Sequence, residues 1–281
     1  MYEISDNYKL MLANIKTQLS LYLFENRQLK TLVIGLSGGI DSALTCVLAR
    51  EAIKDMPGVV LLGRSLPIET NKQDEISRGE EIGNLFCHDY KTFDLTDAYK
   101  ALYKHMVPAG RGKKAGPEEL FEEKVRQGNI KARIRMIYLF DLAHFNRGMV
   151  LSTDNFTELM LGFWTLHGDV GNFGLLQYLW KTEVYGLAQY LEKMYRKNND
   201  IKKADALRKS IDAVPTDGLG ITASDFDQIG VADYSTADNI LLKYLNGDRQ
   251  DENHPVVKRY KATRFKRRDP LNITREKVFE I

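Results

Sequence analysis

Between residues 35 and 42 the chain reads Gly35-Leu36-Ser37-Gly38-Gly39-Ile40-Asp41-Ser42, and its flanks say what that stretch is. Upstream, Thr31-Leu32-Val33-Ile34-Gly35 is an apolar run, too short for a helix and closed by glycine, as in a strand buried in a parallel sheet. Downstream, Ala43, Leu44, Val47, Leu48 and Ile53 recur at helical spacing, which predicts a helix from Asp41 to Ala52. The stretch therefore joins a strand to a helix. Two adjacent glycines let the backbone approach an anion, and the free N–H groups and dipole of the helix start favour negative charge. Phosphate is the natural ligand, with a tight turn and a polar helix cap as the plainer alternative. A nucleotide-hydrolysing P-loop needs a lysine before its Ser or Thr, and a dinucleotide fingerprint needs Gly-x-Gly-x-x-Gly; the stretch has neither. Asp41 adds a carboxylate beside the expected phosphates, a suitable place for magnesium, which shares oxygen ligands with phosphate.

Working outward, Gly58 to Leu62 reads as a second strand, about Lys72 to Leu85 as a helix and Asp89 to Phe93 as a strand. A long helix from about Leu120 to Phe145 and a strand at Met149-Val150-Leu151 continue the alternation, and an amphipathic helix from about Asp6 to Phe24 precedes it. Such alternation predicts an α/β fold, a doubly wound parallel sheet flanked by helices. No sheet strand is expected after residue 151; helices from Lys181 to Tyr195, Asp200 to Ile211 and Asp233 to Leu245 make an added C-terminal helical region. The 281 residues are read as a single domain, with the core sheet over about 28–185 and the helical extension over about 186–281. The Gly-, Pro- and Lys-rich stretch between His105 and Lys124 is an exposed loop or a lid over the site.

With 43% hydrophobic residues the chain has material for a sizeable core, and 40 basic against 38 acidic side chains leave a formal charge of +2. That balance gives no general bias toward nucleic acid or an anionic membrane. The tail from Lys258 to Arg268 is locally basic, with seven basic residues and no acidic one. No run approaches the roughly 18 to 20 apolar residues that span a bilayer. The two cysteines, Cys46 and Cys87, lack metal-like spacing; Cys46 falls on an apolar helical face as a buried thiol, and a reducing, cytoplasmic setting is expected.

Ser37-Gly38-Gly39-Ile40-Asp41-Ser42 resembles the pyrophosphate loop of the ATP pyrophosphatases, the PP-loop superfamily that includes NAD, GMP and asparagine synthetases. Gly128-Asn129-Ile130-Lys131-Ala132-Arg133-Ile134-Arg135-Met136 and Ser152-Thr153-Asp154-Asn155-Phe156-Thr157-Glu158 are similar to segments of one branch, the ammonia-dependent NAD synthetases. Gly168-Asp169, Lys181, Pro215-Thr216 and Phe265-Lys266-Arg267 follow in the family's order, so the resemblance runs from about residue 30 to 270. It implies an adenine nucleotide alpha hydrolase-like fold and an ATP-dependent amidation. The carboxylate of deamido-NAD attacks the α-phosphate of ATP, pyrophosphate leaves, and ammonia displaces AMP from the acyl adenylate. It further implies that Leu36, Ser37, Gly38, Gly39, Ser42, Thr153, Lys181 and Lys266 bind ATP, and that Asp41 and Glu158 hold Mg2+. Asn129, Arg133, His167, Asp169 and Asn172 would meet the substrate, with Asp41, Asp169 and Lys181 taking part in the chemistry. Family members are homodimers. The chain has no room for a built-in glutaminase domain, so free ammonia or a separate supplier is expected.

The match weakens at one loop. Typical members read Thr-Lys-aromatic-Gly-Asp-Gly-Gly-x-Asp, where this chain has Thr165-Leu166-His167-Gly168-Asp169-Val170-Gly171-Asn172-Phe173. Leu166 stands where the lysine would be, and Asn172 or Phe173 replaces the last aspartate, depending on the placement of a one-residue gap. His167 is a replacement contact or an ordinary loop residue. An acceptor such as nicotinate mononucleotide, or a nucleotide sensor without turnover, stays open. Pro215-Thr216-Asp217-Gly218-Leu219-Gly220 also departs from the family after its start and reads as a flap.

Overall fold

At the centre lies strand β1 (Thr31–Gly35), whose Leu32, Val33 and Ile34 are fully buried, as befits a strand covered on both faces. It pairs in parallel with β2 (Val60–Ser65) on one side and β4 (Gly148–Ser152) on the other. Strand β3 (Asp89–Thr92) extends the sheet beyond β2, and the two-residue β5 (Phe173–Gly174) extends it beyond β4. The order is β3-β2-β1-β4-β5, with every pair parallel. The winding reverses between β1 and β4, so the loops leaving their carboxyl ends diverge and open a crevice, the usual ligand position in such sheets. The structure is a computed structural model that describes residues 1–69, 71–106, 116–216, 224, 226, 229–268 and 272–279.

Helices α1 (Tyr8–Glu25), α2 (Ile40–Ile53) and α3 (Gln73–Phe86) cover one face. The opposite face is covered by α5 (Pro117–Phe145), which lays Met136, Leu139 and Ala143 on Val33 and Val150, with α4 (Thr96–Met106) beside it. After β4 come α6 (Phe156–Leu161), α7 (Lys181–Lys197) and α8 (Ile201–Ile211). Leu187, Leu191 and Leu207 of α7 and α8 share the main core with Leu19, Leu44, Leu48 and Phe86. A second core joins α6 and Trp180 to α9 (Tyr234–Leu245) and α10 (Pro255–Ala262), through Phe156, Leu161, Leu241, Val256 and Val257. A 3-10 turn (Arg264–Arg268) and α11 (Arg275–Phe279) follow.

Some elements depart from the pattern-based expectation. A strand does follow residue 151: β5 has only two residues, too few to alternate, and is pinned by Asn172, whose N–H donates to the Val150 carbonyl (2.7 Å) while its amide oxygen accepts from the Val150 N–H (2.9 Å). Strand β2 lies later than Gly58–Leu62. Gly58 turns the chain at φ 89°, and the strand runs on through Arg64, whose charge is buried against Asp89 at 2.7 Å. Helix α4 escaped notice because it buries little besides Tyr99, and α6 and α10 because they are short. Residues 107–115 of the Gly/Pro/Lys-rich stretch, and the proposed flap from Asp217 onward, lie outside the described residues. Among the described residues no helix is long and apolar enough to cross a membrane.

Candidate active site

The loop after β1 is held open by its own hydrogen bonds. The Ser42 hydroxyl donates to the Gly39 carbonyl (3.1 Å) and accepts from the Ser37 N–H (3.2 Å), while the Gly39 N–H donates to the Ser37 hydroxyl (3.3 Å). Gly38 sits at φ 83°, a conformation that costs other residues about 1–2 kcal/mol, and a Cβ there would overlap the Glu75 carbonyl. Arg78 of α3 donates its Nε to the Gly38 carbonyl at 2.9 Å, so α3 fixes the loop from the side. Leu36 is tied to β2, its N–H donating to the Arg64 carbonyl (2.8 Å).

Opposite the loop, Lys181 opens α7 with its ammonium between two carboxylates, 2.5 Å from Asp41 Oδ2 and 3.0 Å from Glu158 Oε1. Three elements converge here. Asp41 lies in the first turn of α2, Glu158 in the first turn of α6, and Asn155 caps α6 while donating Nδ2 to Asp41 Oδ1 at 2.8 Å. The buried Asp238 of α9 accepts from the hydroxyls of Thr157 and Thr182 and from the Thr182 N–H, and the Lys181 N–H donates to Thr157 Oγ1 (2.8 Å). Helix α9 thereby sets the position of Lys181. Burial works against the Lys181 ammonium, but Asp41 and Glu158 outweigh it and hold its pKa well above the lysine value. Burial pushes Glu158 up to about 8, against the pull of Lys181. Asp41, Glu158 and Lys181 line a polar pocket with Ser37, Gly39, Arg78 and Ser210; the buried Ser210 hydroxyl has no partner among the described residues.

A second pocket adjoins it at Ser37 and has a mixed lining: Leu66, Met136, Leu139 and Leu151 on the apolar side, Asn71, Thr153, Asp154, Asp169 and Arg135 on the polar side. Burial, with Asp169 nearby, raises Asp154 to about 7, although the Ser152 hydroxyl donates to it at 2.7 Å. Burial likewise raises Asp169 to about 7; its carboxylate accepts the Thr165 N–H at 2.9 and 3.0 Å. An apolar wall beside a few convergent polar groups suits a heterocycle with a polar ribose.

Several residues singled out in the sequence are occupied elsewhere. Asn172 anchors β4, as above, its amide oxygen accepting from the Val150 N–H. Asn129 accepts from the Thr165 hydroxyl at 2.8 Å and so steadies the loop holding Asp169. Arg133 lies exposed on α5 and donates Nε and Nη2 to the Leu166 carbonyl (3.3 and 3.0 Å); with His167 it borders a shallow surface hollow, apart from both pockets. Lys266 donates to the carbonyls of Gly162 and Trp164 (2.7 and 2.5 Å), and Arg267 to those of Met160 and Tyr260 (2.7 and 2.6 Å), so the basic tail closes the end of α6. The aromatic side chains near the loop are also committed: Trp180 meets Phe156 edge-on at 4.7 Å, Phe173 packs on Tyr22 at 4.8 Å, and Arg259 lies over Phe163.

The chain matches the family model described as NAD synthase over residues 11–270. An NH3-dependent NAD+ synthetase of Campylobacter jejuni subsp. doylei is 31% identical over 223 residues, 79% of this chain and 82% of the relative. This chain belongs to the NAD synthase family. It is therefore a ligase that forms a carbon–nitrogen bond, in a family named for NAD synthesis by amidation. Its fold is similar to that of a solved structure from Francisella tularensis described as NMN synthetase, with TM-score 0.74 and 25% identity over 97% of this chain and 99% of that one. The fold also matches an NH3-dependent NAD synthetase of Campylobacter jejuni, with TM-score 0.67 and 23% identity over 95% of this chain and 100% of that one.

Among the described residues no group of three or more metal-ligating side chains gathers. Two carboxylates, Asp41 and Glu158, share a pocket with the Ser37 loop, and magnesium is commonly held by one or two carboxylates completed by phosphate and water. The donor set fits an ion brought with the nucleotide. Sequence reasoning passed over Arg78, Ser210, Asp154 and Arg135. Asp154 and Arg135 lay inside the quoted motifs and carried a signal; Arg78 and Ser210 lay in ordinary helices and carried none.

Proposed function

We propose that this chain amidates deamido-NAD (nicotinic acid adenine dinucleotide) with ammonia, driven by ATP, through an acyl adenylate. A carboxylate cannot expel oxide, whereas an acyl phosphate anhydride expels AMP, so ATP splits one hard step into two easier ones. In the first, a substrate carboxylate oxygen bonds to the α-phosphorus while the bond from that phosphorus to the bridging oxygen breaks. Pyrophosphate departs into the pocket of Ser37, Gly39, Arg78 and Lys181, where backbone N–H groups and cations favour it. In the second, ammonia bonds to the acyl carbon, the carbon–oxygen bond to AMP breaks, and Asp169 accepts the proton; a carboxyl raised to about 7 suits that task near neutrality. Thr153 faces the nucleoside. Asp41 and Glu158 would hold magnesium, which when bound offsets charge on the phosphates.

The observation that carries this reading is the meeting, at Ser37, of a phosphate-suited pocket bearing Lys181 between two carboxylates and a nucleoside-suited pocket bearing Asp169. Its test is to supply ATP, magnesium, ammonium and deamido-NAD and to follow AMP, pyrophosphate and NAD together. Equal yields that vanish in Asp41→Ala are expected. ATP binding without pyrophosphate release under any carboxylate would contradict the reading and favour a nucleotide sensor.

A second reading makes nicotinate mononucleotide the acceptor. It is favoured by Leu166, an apolar residue where a typical member's lysine would meet the acceptor, and by the likeness to the Francisella protein described as NMN synthetase. Side-by-side kcat/KM values distinguish the two: a preference of about tenfold or more for the mononucleotide replaces the first reading. We further read the chain as one synthetase domain, cytoplasmic and homodimeric. Exposed Ile137 (67%) and Phe140 (40%) on α5 and Val170 (40%) beside them form an apolar surface that a second copy would cover, which sedimentation tests.

A further inference from the structure

The guanidinium of Arg135 lies in the wall of the nucleoside-suited pocket. Two of its nitrogens are held by neutral oxygens: Nε donates to the Leu66 carbonyl at 2.9 Å and Nη2 to Asn71 Oδ1 at 2.7 Å. Asn71 is itself fixed, accepting the Ile68 N–H at 2.9 Å and donating Nδ2 to Glu75 Oε2 at 3.3 Å, so the guanidinium plane has a rigid support. Nη1 carries no hydrogen bond, and no carboxylate lies within ion-pair distance of Arg135 among the described residues. Glu75 and Asp169 act on it from farther off, while burial pulls its pKa down to about 10. A half-buried cation without a contacting anion is costly unless a ligand brings one. Arg133, two residues away, points to another side of α5, since helical neighbours at that spacing do not share a face.

The pocket limits which anion this is. Its apolar wall suits the base, and the phosphate loop borders it at Ser37, which also borders the pyrophosphate-suited pocket. The phosphate between base and pyrophosphate must lie at that junction. We propose that Arg135 grips the α-phosphate of ATP through its free Nη1 edge and keeps hold of the same phosphate in the adenylate and in AMP. This rests on the adenylating reading above. The fixed Nε and Nη2 bonds orient the fork before the ligand arrives, which a flexible ammonium could not match.

The test compares AMP with adenosine by titration calorimetry on the wild type, Arg135→Met and Arg135→Lys, with a melting curve for each. Wild type should bind AMP more tightly than adenosine. In Arg135→Met the AMP affinity should fall about 10- to 100-fold, the usual range for a lost charged hydrogen bond, with adenosine affinity within about twofold of wild type. Arg135→Lys should keep part of the preference, and it carries the test alone if the methionine variant does not fold. Equal losses for AMP and adenosine, or no loss for either, leave the AMP-to-adenosine ratio unchanged and overturn the assignment, making Arg135 a structural residue. A wild type that binds neither nucleotide contradicts the adenylating reading itself, whereas AMP binding that ignores Arg135 contradicts only this inference.

Discussion

Replacing Lys181 by methionine keeps the length of the side chain and removes its charge. The Lys181 side chain is 3% exposed and its partners Asp41 and Glu158 are 18% and 19% exposed, so solvent screens the trio only weakly. The Asp41 carboxylate would then be left without its cation, while Glu158, already raised to about 8 by burial, would lose the ammonium that pulls it down; breaking a buried ion pair from one side costs about 3–5 kcal/mol. For a chain of this size that corresponds to a fall in melting temperature of about 5–10 °C. The loss should depend on pH in a defined sense. Without the ammonium, Glu158 loses the one partner that pulls its raised pKa down and stays protonated to higher pH than in the unfolded chain, so the folded variant binds more protons and the deficit grows as pH rises. Melting curves of wild type and variant at pH 5 and pH 8, without nucleotide, measure this. The gap should be wider at pH 8, and Lys181→Met with Glu158→Gln should recover part of it. A variant that melts within about 1 °C of wild type at both pH values refutes the reasoning, because the trio would then be solvated in solution.

Gly38→Ala meets both a φ of 83° and the Glu75 carbonyl, so it should lower stability by at least about 1–2 kcal/mol and ATP turnover by more than tenfold, read by denaturant melts and pyrophosphate release. Asp169, raised to about 7 by burial, should give a rate that climbs as pH rises through about 7 when free ammonia is held constant. The same burial makes the fold less stable as Asp169 ionises, so Asp169→Asn should gain melting temperature at pH 8 relative to pH 5 while losing the second half-reaction. Arg133→Ala frees the Leu166 carbonyl and loosens the loop bearing Asp169; acceptor KM should rise about tenfold, consistent with one lost pair of hydrogen bonds, with AMP binding unchanged.

Where a signal is periodic or local, the sequence carried it. The apolar run at 31–35, the helix after it and the double glycine place the loop of residues 36–42 at the end of a buried strand, where it lies. Asp41, Glu158 and Lys181 were named singly from motifs, yet their convergence is tertiary: residues 41, 158 and 181 meet because α2, α6 and α7 begin beside one crevice. No pattern announces Asp238, whose role is to hold the start of α7 from α9. Likewise, Arg133 and Arg135 differ by two positions in one motif, and only the packing of α5 on the sheet tells which faces the pocket. Strand β5 was hidden because two residues make no pattern and its anchor is an asparagine side chain.

Adenylation of a carboxylate in this crevice is read out by isotope transfer. Deamido-NAD labelled with oxygen-18 in its carboxylate is turned over with ATP and ammonium, and the AMP and pyrophosphate are weighed by mass spectrometry. An acyl adenylate places one labelled oxygen in AMP and none in pyrophosphate. Product formed with unlabelled AMP, or with label in pyrophosphate, contradicts the account.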